Sequence, residues 1–392
     1  MIMWGFFIIM IKFFFIFLTA WLSMAVMGIN IQLLTPINSD LKEVLNISYS
    51  MLGILMGIIS LPGIFISSPI GQLADKIGRK YILATGFFLI CIGNALFPIF
   101  SNFNSALIGR ILIGIGCSII SVLVPGIIPQ YLPKENVPQL MGIFNTAIPV
   151  GSILTLTFYH NIAQKTGLFE SFYIPIIISV FLAILFLFFP EKNIQTKDIK
   201  EKSKNIWIPN EKIIIPLSII VLVANLASMA YVTLAPSYFE QLKISWNIRG
   251  TMLSAGLWGS IFFAPLVGKI LSKGNYAKII IITGLLSQGI GLILIPFVKI
   301  PLIISLILFC FGAGIIMTPI YVIIPKYLPQ ENINTAFGFI ISSMMIGCLF
   351  GPYVAGKIMD MSNFAISFAV CGIISIFGIF ACFAIKASEK TT

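Results

Sequence analysis

The chain has 392 residues, of which 58% are hydrophobic and only 9% are charged, and its mean hydropathy is +1.05. Soluble globular proteins carry about 25% charged residues, so this composition excludes a water-soluble enzyme, a disordered protein and a nucleic-acid-binding protein. The net charge of +11 comes from short Lys and Arg clusters between apolar runs, where such residues orient membrane helices. The composition therefore predicts a polytopic membrane protein.

Twelve segments of the sequence are long and apolar enough to span a membrane, which requires about 20 residues each. In chain order they are residues 13–37, 49–71, 81–100, 104–129, 139–160, 170–190, 212–236, 249–270, 278–298, 301–325, 334–356 and 363–386. The runs are continuous rather than alternating, which predicts helices and excludes a β-barrel. All six cysteines lie inside these segments without metal-ligand spacing, so neither a disulfide nor a metal site is predicted.

The distribution of positive charge predicts the orientation of these helices. If both termini are cytoplasmic, 17 Lys and Arg face the cytoplasm and six face outside, while Arg110 lies within the fourth span. Positive residues are enriched on the cytoplasmic side of membrane proteins. We therefore expect an integral protein of the inner or plasma membrane with cytoplasmic N- and C-termini.

A polar segment divides the spans into two groups of six. The predicted units are residues 1–190, a cytoplasmic linker at 191–211, and residues 212–392. Residues 127–136 recur as residues 323–332 with eight of ten positions identical, at an offset of 196. Such an internal repeat indicates two copies of one unit, although general hydrophobic similarity is the alternative. Because six spans return the chain to the same side, the copies are predicted to be parallel repeats.

The loop between the second and third spans carries the most specific motif. Residues 71–80 read GQLADKIGRK and resemble the G-x-L-A-D-R-x-G-R-[KR] loop of the major facilitator superfamily. The resemblance covers the whole chain and implies an all-α polytopic membrane protein with 12 transmembrane helices in two six-helix bundles. It also implies alternating access and gating by the loop, whose motif residues are Gly71, Asp75, Gly78, Arg79 and Lys80.

Asp75 is the residue of this loop with the clearest physical role. A carboxylate stabilises the N-terminus of a neighbouring helix, and the resemblance implies that the loop latches the two halves together when the outer gate is open. The second half has Ser272 at the corresponding position, so the latch is expected to be asymmetric. The alternative is that the basic residues of the loop only set the topology.

Arg110 is the main candidate for binding substrate, because a charged side chain within a membrane span is costly unless it faces water or a partner. Gly114, Ser118, Ser121 and Pro125 follow it at helical spacing and predict a polar stripe toward a cavity. One hypothesis is that Arg110 attracts an anionic substrate. The other is that it caps neighbouring carbonyl groups.

Further candidate ligands are polar residues within the spans. Family architecture places the cavity between spans 1, 4, 7 and 10, which adds Asn30, Ser121, Asn225, Tyr231 and Tyr321, with Asn145 in the fifth span. His160, the only histidine, falls at the outer end of the fifth span and is interpreted as structural, with a transport role as the alternative.

These features predict a secondary transporter rather than an enzyme, acting as a monomer on a small-molecule substrate and without a cofactor. The solute is predicted to be small and anionic or polar. Efflux of lipophilic, drug-like compounds is the alternative, although the antiporter motif of the fifth span is missing. A proton or a counter-substrate is the candidate coupling partner. A transport-inactive membrane sensor is the third hypothesis, and the short loops argue against it.

Overall fold

The computed structural model describes residues 2–127, 140, 143–189, 211–271, 273–297, 302–327 and 330–385. Within these ranges the regular structure is entirely helical and contains no strand. The first half contains α1 (Ile2–Gln32), α2 (Asn38–Leu45), α3 (Tyr49–Gly57), α4 (Leu61–Ile77), α5 (Arg79–Phe100), α6 (Phe103–Leu123), α7 (Ala147–Thr166) and α8 (Tyr173–Leu187). The second half contains α9 (Glu211–Gln241), α10 (Trp246–Leu253), α11 (Ala255–Leu271), α12 (Ala277–Leu294), α13 (Leu302–Ile315), α14 (Met317–Tyr327), α15 (Gln330–Met361) and α16 (Phe364–Ala384).

Ten segments of the described chain are long and apolar enough to cross a membrane. They lie at ten of the twelve predicted positions, and α7 and the shorter apolar helix α11 occupy the other two. The predicted all-α membrane fold is confirmed. Several helices extend beyond the apolar runs: α1 begins at Ile2 and α9 continues through Pro236 to Gln241.

The second span is interrupted within the membrane rather than forming one continuous helix. Residues Ile58–Ser60 form a short 3₁₀ turn between α3 and α4, and Pro62 lies in the first turn of α4. Proline is tolerated there because the first N–H groups of a helix have no partner within that helix. The tenth span is similarly divided at Ile316, between α13 and α14.

The two halves use the same helix pairs for their internal packing. In the first half α1 packs on α7, and α5 packs on both α6 and α8. In the second half α9 packs on α15, and α12 packs on both α13 and α16, which are the corresponding pairs. The two halves therefore repeat one pattern of helix packing, in agreement with the repeated sequence. The boundaries of the predicted units stay a prediction, since residues 190–210 lie outside the described residues.

Apolar residues form the interior of each half. One cluster of buried side chains lies wholly within the first half, where the rings of Phe97 and Phe172 stack at 4.4 Å between centroids. A second cluster lies wholly within the second half. A third belongs mainly to the second half but includes Leu156 of the first, so the two halves share apolar packing where they meet.

Candidate functional site

The two halves touch at the end of the bundle that is opposite the chain termini. One contact, here called the first seam, joins α3 to α15, and the other, the second seam, joins α7 to α10. Gly53 lies directly against the backbone of Pro352 in the first seam, as Gly250 lies against that of Leu156 in the second. The glycines are 197 residues apart and their partners 196 apart, which are the offsets of the internal repeat. The two seams are therefore repeat copies of one contact.

Polar side chains also join the halves at this end. The Nδ2 of Asn38 donates a hydrogen bond to the carbonyl oxygen of Thr233 at 2.8 Å. The hydroxyl groups of Ser39 and Ser237 lie 3.1 Å apart. These bonds connect α2 with α9, beside the two seams. The end opposite the termini is thus closed by backbone contact and by hydrogen bonds.

His160 lies in the second seam rather than at a substrate cavity. Its ring stacks on Trp246 of the other half with 3.8 Å between centroids. Its Nδ1 lies 3.2 Å from the carbonyl oxygen of Pro36 and 3.8 Å from a carboxylate oxygen of Asp40. Because both neighbours are acceptors, this nitrogen carries the proton. The position is that of a residue that closes the end of the bundle.

Arg110 is buried, with 1% of its surface exposed, and its guanidinium donates to three main-chain carbonyl groups. The Nη1 atom donates to Asn30 at 2.8 Å, the Nε atom to Leu55 at 3.2 Å, and the Nη2 atom to Met56 at 3.4 Å. Arg110 therefore ties the fourth span to the first and second spans. This is the carbonyl-capping arrangement, and solvent does not reach the guanidinium in this conformation.

Asn30 belongs to the same network and is also buried. Its Oδ1 accepts a hydrogen bond from Asn94 at 2.8 Å, and its Nδ2 donates to the carbonyl oxygen of Val26. The structure therefore brings Asn30 and Arg110 together but adds a third residue, Asn94 of the third span. Asn94 was not predicted from the sequence, because the polar candidates came mainly from spans 1, 4, 7 and 10. A buried amide in any span would have been the useful signal.

The predicted polar stripe after Arg110 does not face a cavity, and that prediction is wrong for its first members. A Cβ at Gly114 would lie 3.0 Å from the carbonyl carbon of Ile59 and 3.1 Å from Pro62. Ser118 is buried and donates back to the carbonyl oxygen of Gly114. The small residues let the fourth span approach the second closely, which is the usual role of such residues between membrane helices.

Three other predicted residues form hydrogen bonds within their own half of the chain. Tyr231 is 1% exposed, and its hydroxyl donates to the carbonyl oxygen of Met252. Asn225 is half-buried and donates to Val221 within its own helix. Ser121 is half-buried and donates to the carbonyl oxygen of Ser118. None of the contacts described for these three joins them to one another or to Arg110.

Asn145 and Tyr321 are the predicted residues with exposed side chains. Asn145 is exposed in the predicted fifth span. Tyr321 on α14 is 47% exposed, and its ring centroid lies 5.7 Å from that of Phe337. Both lie in the parts of their spans away from the seams. Of the predicted set, these two are the most available to a ligand in this conformation.

The motif loop is described only in part. Gly78 ends α4 with φ +103°, a conformation that favours glycine. The guanidinium of Arg79 lies against Gly126 at the end of the fourth span, and the ammonium of Lys80 lies over the Tyr81 ring. Gly71 and Asp75 lie in α4, but the side chain of Asp75 is outside the described residues, so the predicted latch stays a prediction.

The second half has its own buried polar network, which sequence reasoning also missed. Gln288 is buried, and its Nε2 donates to the carbonyl oxygen of Ala224 at 3.0 Å and to the hydroxyl of Ser228 at 2.8 Å. Its Oε1 accepts from Ser375 at 3.1 Å. These bonds join the seventh, ninth and twelfth spans. Among the described residues, no group of three or more His, Cys, Asp and Glu side chains could hold a metal ion.

Comparison with known proteins agrees with this architecture. The family model of the Major Facilitator Superfamily matches residues 20–276 and 217–392. The chain belongs to the Major Facilitator Superfamily. The resemblance of residues 71–80 is thereby confirmed, and the chain is a membrane transporter of this superfamily.

Relatives within the superfamily cover almost the whole chain. An uncharacterized MFS-type transporter of Methanocaldococcus jannaschii is 24% identical over 368 residues, covering 91% of this chain and 94% of the relative. The quinolone resistance protein NorA of Staphylococcus aureus is 24% identical over 342 residues, covering 85% and 87%. The relatives therefore share the superfamily but do not define one substrate.

Solved structures of superfamily members show the same fold. The nucleoside transporter NupG aligns with a TM-score of 0.77 at 14% identity, covering 95% of this chain and 98% of that one. The inward-open xylose transporter XylE from E. coli aligns with a TM-score of 0.74 at 17% identity, covering 97% and 98%.

Proposed function

We propose that the chain moves a small polar organic solute across the membrane by alternating access of its two halves. The observation that carries this proposal is the pair of seams. Each seam is a backbone contact, the seams are related by the internal repeat, and both lie at one end of the bundle. Opening such an end requires the halves to move as units rather than one helix to bend.

The proposed orientation follows from the positive-inside bias. With cytoplasmic termini, the closed end faces outside, and the conformation described here is closed toward the outside. Solute would then exchange with the cytoplasm in this state. A proton or a counter-substrate is the proposed coupling partner, and solute uptake into vesicles with and without a pH gradient distinguishes the two.

The candidate side chains that are most available for contact with a substrate are uncharged. Asn145 and Tyr321 are exposed, Asn225 and Ser121 are half-buried, and the buried Arg110 is occupied by three carbonyls. Amide and hydroxyl groups recognise a polar solute through neutral hydrogen bonds, each worth about 0.5–1.5 kcal/mol net. An anion would have to displace the carbonyls from Arg110. The proposal is therefore a polar, uncharged solute.

A binding screen of the purified full-length chain tests this proposal. Nucleosides, sugars, organic acids and lipophilic cationic dyes would be compared by the rise in melting temperature. We expect an uncharged polar compound to bind, and Tyr321→Phe to weaken it roughly 2- to 10-fold by removing one hydroxyl. Tyr353→Phe, at an exposed tyrosine near the seams, is the matched control. Binding restricted to organic acids and lost in folded Arg110→Gln would contradict the proposal.

Efflux of lipophilic compounds is the second candidate. The chain is similar to NorA, a quinolone resistance protein, and α11 exposes two stacked aromatic rings, Trp258 and Phe262, whose centroids lie 5.8 Å apart. Apolar burial would supply the affinity in that case. Binding of dyes that is weakened by Trp258→Ala and unchanged by Tyr321→Phe would favour efflux.

A further inference from the structure

Asp360 crosses the first seam. It lies in the last turn of α15 in the second half, and its carboxylate meets the first turn of α3 in the first half. One oxygen accepts a hydrogen bond from the backbone N–H of Tyr49 at 2.9 Å, and the other accepts from that of Ser50 at 2.8 Å. A side chain of one half therefore caps a helix of the other.

The N-terminus of α3 is incompletely capped by its own half. The first N–H groups of a helix have no partner within it. The hydroxyl of Ser48, the N-cap residue, accepts from one backbone N–H of this turn, that of Met51, at 3.2 Å. The N–H groups of the two preceding residues are those bound by Asp360. A carboxylate is favoured there because the N-terminus of a helix carries a partial positive charge.

Backbone packing fixes the position of this carboxylate. Gly356, one turn before Asp360, lies against α3, and a Cβ at this glycine would be 2.6 Å from the carbonyl carbon of Tyr49 and 2.9 Å from the nitrogen of Ser50. The carboxylate reaches the two N–H groups only while the backbones touch. Any opening of the first seam must therefore break both hydrogen bonds together.

Among the described contacts of the second seam, no carboxylate caps the facing helix in this way. Gln164 occupies the position that corresponds to Asp360 at the offset of 196. Its Nε2 lies 3.5 Å from a carboxylate oxygen of Asp40, in its own half, and the contact across the seam is the stack of His160 on Trp246. A neutral amide at this position offers no charge to the facing helix. The two repeats have thus diverged at their equivalent gate positions.

We propose that Asp360 is a positioning residue of the transport cycle, whose carboxylate holds the bundle closed at the end opposite the termini and is released each time that end opens. This inference rests on the proposed alternating access. Asp360, which lies outside the superfamily motif loop and outside the candidate substrate site, would thus favour the closed conformation. Loss of the carboxylate should favour the open conformation without changing the fold.

Distance measurements between the halves test the inference. Spin-labelled amino acids introduced at Val44 and Ile366, which are 55% and 47% exposed, report the opening of this end while the native cysteines are retained. In Asp360→Asn we expect the ratio of open to closed molecules to rise about fivefold, the size of a typical helix-terminus effect. Gln164→Ala is the matched control and should leave the ratio unchanged. Melting temperature should change little in either variant.

The possible outcomes separate the latch from the transport proposal. If the parent shows open and closed populations and folded Asp360→Asn shows the same ratio, the latch is wrong and alternating access stands. If the parent and the variant both stay closed under every condition, alternating access and the latch are both overturned. Asp360→Ser, which also lacks the charge, gives the same test if the Asn variant does not fold.

Discussion

Gly250→Ala should force the second seam apart. A Cβ at Gly250 would lie 2.6 Å from the carbonyl oxygen of Leu156 and 2.7 Å from the Cα of Thr157, whereas ordinary contact begins at 3.4 Å. The halves must therefore separate by about 0.7–0.8 Å, because both neighbours are backbone atoms and no side chain can rotate away. Excess volume in a well-packed contact costs about 1–3 kcal/mol.

This cost applies only to the closed conformation, so it changes the balance between states. A difference of 1–3 kcal/mol corresponds to roughly a 5- to 150-fold change in an equilibrium, and the ratio of open to closed molecules should rise by that factor. The spin labels at Val44 and Ile366 provide the measurement. Gly268→Ala, in the same span, is the control, because a Cβ at Gly268 would meet no atom of the described residues within 4 Å.

The control also accounts for helix propensity. Replacing Gly by Ala favours a helix by up to about 1 kcal/mol at either position, so only the difference between the two variants reports the seam. The reasoning is refuted if folded Gly250→Ala and Gly268→Ala give the same distance distribution as the parent. It would then follow that the glycine contact does not limit closure.

Three further substitutions have defined outcomes. Arg110→Gln should lower the melting temperature by leaving carbonyl groups unpaired, at about 1–3 kcal/mol for each, and should spare binding of an uncharged ligand; unchanged stability would contradict the capping role. Asp75→Asn should shift the conformational equilibrium by about 1 kcal/mol toward the state that is closed at the end opposite the termini, whereas Ser272→Ala should not. Spin labels across the gate on the side of the termini report this shift. Equal distances in the parent and both variants would show that the motif loop only sets the topology. His160→Ala should favour opening by about 0.5–1.5 kcal/mol, the contribution of an aromatic pair, as measured with the spin labels at Val44 and Ile366. An unchanged ratio of open to closed molecules would show that the stack of His160 on Trp246 does not stabilise the closed conformation.

Hydropathy and the internal repeat were sufficient to predict the all-α membrane fold. A span must be apolar because it crosses lipid, and this requirement is visible in one sequence without knowledge of neighbouring helices. The ends of the helices were less predictable. The helix α9 continues to Gln241 beyond the apolar run that ends at 236, because packing and backbone hydrogen bonds continue outside the hydrocarbon.

The candidate site was predictable in residue type but not in partner. Helical periodicity shows that Arg110, Gly114 and Ser118 share a face, yet it does not show which helix that face meets. The structure places Gly114 against Ile59, so a stripe of small residues serves helix packing. Asp360 could be recognised as an acid at a span end, but its role depends on a contact with residues more than 300 positions away.

The distribution of polar bonds explains how this chain could move as two units. Arg110 joins the fourth span to the first and second, and Gln288 joins the seventh, ninth and twelfth, so each half is cross-linked internally by buried hydrogen bonds. Breaking such a bond without replacing it is costly in lipid. The boundary between the halves has fewer of them: it relies on glycine contacts, on the buried hydrogen bond from Asn38 to Thr233, and on a carboxylate, Asp360, whose exposed side chain can exchange its partners for water. Movement is thereby directed to the boundary between the halves, which is where alternating access requires it.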